Sequence, residues 1–149
     1  MSLQTCLADQ HQALLDFEQL LVEENTLLLR SFEPQELAQI TLRKYQLVER
    51  IEQLDQARAQ LLQARELENN LQGLRYAAEE DELEHELDQL IELSEKVRNA
   101  SDNNRILVDT FLIDTQQNLD ALEAFTGRNT FYDASGKTQN TQSSLSLKV

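Results

Sequence analysis

Two histidines and one cysteine are a thin supply for metal or nucleophilic chemistry. The one suggestive spacing is Glu82-Leu83-Glu84-His85, a Glu-x-x-His of the kind that ligates paired iron ions inside helix bundles. That chemistry needs a second such motif and a glutamate from each of two further helices, all turned inward. The other histidine, His11, has Ala8 three residues before it, so the second motif is missing. His85 also falls off the apolar seam, in an acidic stretch. There is no Gly-x-Ser-x-Gly and no glycine-rich phosphate loop. Cys6 has no second cysteine to pair with and sits among apolar positions, so it reads as a small buried hydrophobe. No catalytic residue, metal ligand or cofactor is expected, and the chain does not read as an enzyme.

The elements that carry these residues follow from composition and period. Three glycines, one proline and no tryptophan in 149 residues leave too few turn formers for an all-β fold, and 40% apolar content suits one helical domain. With 27 acids against 13 bases the net charge is −14, which excludes a phosphate-binding face and disfavours anionic membrane surfaces. Apolar runs stop at three residues, as in Phe111-Leu112-Ile113, so no spanning segment is expected. The opening Met1-Ser2-Leu3-Gln4-Thr5 lacks the features of a secretory signal, and a cytoplasmic location is expected.

Leu3, Leu7, Gln10, Leu14, Phe17, Leu21, Glu24 and Leu28 alternate steps of four and three, the a/d seam of a coiled coil. The frame ends near Arg30. Pro34 pushes Glu33 out of the helical region and suits the first position of a second helix. There Leu37, Ile40, Lys44, Leu47, Ile51, Leu54, Arg58 and Leu61 keep the spacing, fraying through Leu67 and Leu71 toward Gly73. Seven acids from Glu79 to Asp88 suit the start of a third helix, where they complement its dipole. From Leu83 the frame runs through Leu87, Leu90, Ser94, Val97, Ser101, Asn104, Val108, Phe111, Thr115, Asn118 and Leu122 to Phe125. It keeps phase across Asn99-Ala100-Ser101-Asp102-Asn103-Asn104, which favours one continuous helix of roughly 64 Å at ~1.5 Å per residue. The predicted fold is all-α. Three long helices, about 3–30, 34–71 and 80–126, form an antiparallel bundle with coiled-coil-like packing over residues 1–127. Residues 128–149 hold three bases, one acid and many Ser, Thr, Gln and Asn, and are expected to form a flexible tail.

Helices of unequal length leave apolar surface uncovered. Leu15, Leu20, Leu42, Val48, Leu62, Leu107, Leu112, Ile113 and Leu119 flank the seams and widen the stripe. Such a stripe serves a three-helix core or a groove for a helix from another chain. Several stretches also resemble a known family. Leu20-Leu21-Val22-Glu23-Glu24-Asn25-Thr26-Leu27-Leu28 is similar to the Leu-x-x-Glu-x-x-x-Leu-Leu segment near the start of FlgN-type flagellar export chaperones. Asn103-Asn104-Arg105-Ile106-Leu107 resembles that family's Asn-rich element in the last helix. Leu122-Glu123-Ala124-Phe125-Thr126-Gly127 is similar to its helix end, with one residue more before the Thr-Gly. Phe131-Tyr132-Asp133-Ala134-Ser135-Gly136-Lys137 resembles its Tyr-x-x-x-Gly signature.

The resemblance implies a cytoplasmic chaperone of type III flagellar export. It would bind the C-terminal helical segments of hook-associated junction proteins, stop their premature assembly and deliver them to the export gate. The client helix would lie in a groove between the second and third long helices. Val108, Phe111, Leu112, Leu119 and Phe125 are the expected client surface, and Tyr132 the expected docking residue for the gate. No nucleic acid or membrane insertion is implied. The alternative is a structural or self-assembling coiled-coil adaptor, for which the same seam closes by homodimerisation.

Overall fold

The computed structural model describes residues 1–126, and among them it contains four helices: α1 (Leu3–Leu28), α2 (Pro34–Ala64), α3 (Leu71–Glu80) and α4 (Glu84–Thr126). The all-helical expectation holds for these residues. A fourth, short helix stands where the sequence pattern suggested the fraying end of the second. The tail and its expected flexibility lie outside the described residues.

Each boundary has a local cause. Ser2 caps α1, its hydroxyl accepting from the Thr5 N–H at 3.1 Å. Glu33 is extended ahead of Pro34, which opens α2 as its first residue. α2 stops at a Schellman motif: the Leu67 N–H donates to the Leu62 carbonyl (2.9 Å) and the Glu66 N–H to that of Gln63 (3.0 Å). The end of α3 repeats that arrangement, with Leu83 on Ala78 (2.7 Å) and Glu82 on Glu79 (3.2 Å). The left-handed residue of each motif is a glutamate, Glu66 and Glu82 both having φ of 57°. Glycine is the usual occupant, so neither stop is announced in the sequence.

Gly73 lies inside α3. Asn70 caps that helix by accepting from the Gly73 N–H at 2.7 Å, and a Cβ on Gly73 would collide with the Glu68 carbonyl oxygen. The glycine admits a close backbone approach rather than ending a helix. Arg65, just past α2, ties down the far end of α3 through two bonds to the Asp81 carboxylate, at 2.6 and 3.0 Å.

α1 lies at the centre, packed along both α2 and α4, while α3 bridges the end of α2 and the start of α4. α1 and α2 run in opposite directions, with Gln10 on Asp55 near one end and Glu23 on Arg43 near the other. α4 starts beside the end of α2 and reaches the last turns of α1 at Asn104, so it runs parallel to α1. The α1 seam residues Leu3, Leu7, Leu14, Phe17 and Leu21 are at most 3% exposed and meet Leu54, Leu62, Leu74, Leu87, Leu90 and Val97 in one core. A smaller cluster of Leu20, Leu27 and Ile40 closes the α1–α2 turn. At about 25 cal/mol per Å² of apolar surface, each such leucine contributes roughly 2 kcal/mol.

Candidate functional site

Asn104 sits opposite Glu24, an offset of 80 residues that also separates the two seams along their whole shared length, from Leu3 and Leu83 to Leu28 and Val108. α1 therefore runs out where α4 reaches Val108. The last 18 or so residues of α4, about 27 Å of helix, continue past it as an arm. Burial obeys that geometry. Leu87, Leu90, Val97 and Asn104 are buried, Val108 is half-buried, and beyond it no described side chain of α4 is buried.

Of the residues expected to receive a client, Leu112 and Leu119 are 42% and 41% exposed, and Val108 stands where the arm leaves the bundle. Steps of four and seven along a helix put these three on one face. Leu122, three residues on and exposed, joins them. It was legible as a seam position but not as a candidate contact. The side chains of Phe111 and Phe125, and Tyr132 altogether, lie outside the described residues. Ile106, just before the arm, and Ile113 on it are exposed on the opposite side of α4; Ile113 stands among the surplus apolar residues of the sequence, but neither was an expected client contact. The surplus apolar residues noted in the sequence divide. Leu20 and Leu62 are core, whereas Leu15 and Leu42 are exposed. α2 and α4 are not closely packed on each other; each meets α1 and α3 instead.

Where the arm departs, the bundle holds a polar layer. Lys44 Nζ donates to both oxygens of Glu24 (3.1 and 3.0 Å), and Glu24 is 1% exposed. Asn104 Nδ2 donates to Glu24 Oε1 (3.1 Å) and to the Leu21 carbonyl (2.7 Å), and Asn25 Nδ2 donates to Asn104 Oδ1 (3.2 Å). Three helices are joined by one buried carboxylate whose charge is matched by a lysine. A second polar group lies between α1 and α2, where Gln10 Nε2 donates to Asp55 at 2.9 Å with Arg58 3.5 Å away. Burial raises the Asp55 carboxyl above its ordinary value, and the Arg58 charge draws it partly back. Both layers occupy seam positions, where polar residues fix register and partner at a cost in stability.

Neither layer is built for catalysis. Apart from the Arg58–Asp55 pair within α2, the polar contacts of these layers run from one helix to another. Cys6 is wholly buried, its Sγ 3.7 Å from the Leu54 carbonyl, and burial pushes the thiol's pKa up, away from the reactive thiolate. Glu82 lies in the α3–α4 link with His85 exposed on α4, and among the described residues no group of three or more potential metal ligands occurs. No helix among them is long and apolar enough to cross a membrane.

Comparison with known proteins agrees with a binding role. Searches among curated proteins and among solved structures each returned no match. The family model described as FlgN protein matches residues 1–140, a span that includes all four helices and part of the polar tail. With nearly the whole chain covered, the protein belongs to the FlgN family, whose general role is that of flagellar export chaperones and not of enzymes.

Proposed function

We propose that this chain is a cytoplasmic type III export chaperone that binds the C-terminal helical segments of hook-associated junction proteins on the arm of α4. The observation that carries the reading is the exposed face of Leu112, Leu119 and Leu122, which prolongs the bundle seam past the end of α1 in a member of the FlgN family. An amphipathic client helix laid along that face restores the partner that α1 no longer provides. Masking the client there keeps it from assembling early, and the net charge of −14 discourages self-association of the carrier. Val108, Phe111, Leu112, Leu119 and Phe125 are the proposed client contacts, and Tyr132 docks the loaded carrier on the export gate. Homodimerisation through the same seam is the competing use of the arm.

Titration calorimetry with the C-terminal helical segment of a junction protein tests the assignment. Saturable binding with a negative heat-capacity change is expected. Leu112→Asp with Leu119→Asp should weaken it by about 2 kcal/mol or more, roughly 30-fold, because both side chains are apolar anchors. Undiminished binding by the double variant would move the client elsewhere. Tyr132→Ala should keep client affinity and lose the gate interaction. Equal gate binding by the variant would remove Tyr132 from that role.

A further inference from the structure

The polar layer coincides with the stretch of α4 least suited to be helical. Asn99, Ser101, Asp102, Asn103 and Asn104 all favour non-helical backbone, since their side chains compete for nearby peptide groups. The structure nonetheless runs helix straight through them. Asn104 is the last buried side chain described on α4, and its amide holds both the Leu21 carbonyl and the Glu24 carboxylate of α1. We infer that Asn104 is a positioning residue, a latch that fixes α4 to α1 at a weak helical joint and so sets the direction in which the arm leaves the bundle.

Lys44 completes the latch from α2. It holds the Glu24 carboxylate in place, and Asn25 steadies the Asn104 amide from the other side. Asn99 and Asn103 are exposed and take no part in these bonds, so part of the joint's weakness lies on side chains that the latch does not use. That part is adjustable without touching the latch. With the latch removed, the helix has least reason to persist across residues 99–104, and the arm beyond them swings. The latch belongs to the protein alone and does not depend on what the arm binds.

Spin labels on engineered cysteines at Gln39 of α2 and Gln117 of the arm report the arm's direction as a distance distribution. Buried Cys6 stays out of reach of the labelling reagent. The full chain is expected to give one narrow distance, and Asn104→Ala to lose it to a broad or split distribution while the helical signal is retained. Adding Asn99→Ala and Asn103→Ala should restore the narrow distance by stiffening the joint, a rescue that a purely stabilising role for Asn104 would not produce. Should Asn104→Ala fail to fold, Asn25→Ala, which removes only the bond to Asn104 Oδ1, carries the same expectation in milder form. An unchanged distance in the folded latch variant overturns the inference, as does a broadening that the two added alanines do not reverse.

Discussion

Gly73 and the pair Glu66 and Glu82 have the backbone roles that composition would assign the other way round. A glycine inside a helix ordinarily costs about 1 kcal/mol against alanine. Gly73→Ala should nevertheless lower stability by roughly 1–3 kcal/mol, because the new methyl meets the fixed Glu68 carbonyl rather than a side chain that can turn aside. Thermal denaturation checks this, and a higher midpoint for the alanine variant would show that the Glu68 turn moves freely. At Glu82 the argument reverses. A left-handed non-glycine residue stores about 1 kcal/mol of steric strain. Glu82→Gly should raise stability by about 0.5–1 kcal/mol, less than the full strain because glycine loses more freedom on folding. Glu82→Ala should bring no such gain, since alanine bears the same Cβ clash.

At the scale of elements, α3 is held by its ends. The Arg65 guanidinium, hydrogen-bonded to Asp81, keeps that carboxyl below its ordinary value of 3.8. Its folded-state value therefore lies under the unfolded one, so the tie stabilises above that ordinary value and is lost as pH falls through the lowered one. Asp81→Asn should flatten that part of the acid unfolding curve followed by circular dichroism, and an unchanged acid limb would assign the sensitivity to other carboxylates. The tie also shows where the sequence was readable. The α1 seam came through almost residue for residue, buried even at Gln10 and Glu24, because heptad spacing survives any choice of partner. The continuity of α4 through Asn99–Asn104 could be read from an unbroken frame although its residues argue locally for a loop. α3 stayed hidden: both neighbouring stops use glutamate in the left-handed position, and the nearby glycine serves an approach instead of a stop. A tertiary tie from Arg65 to Asp81 leaves no periodic trace at all.

For the whole molecule, the decisive feature is inequality of length. α1 ends at Leu28 and α4 runs on from the matching Val108, so among the described residues the apolar face of α4 is left uncovered at one end while the core fills the other. The mismatch was foreseeable from the two frames, but the place of the overhang was not, since it depends on the register that Asn104 and Glu24 set. The proposed function places the client on this arm. Hydrogen–deuterium exchange of the full chain, with and without a saturating C-terminal segment of a junction protein, tests it most directly. Slowed exchange concentrated between Arg105 and Thr126 is the expected result, with α3 unaffected. Saturated binding that slows exchange on α2 or α3 and leaves the arm as it was would contradict it.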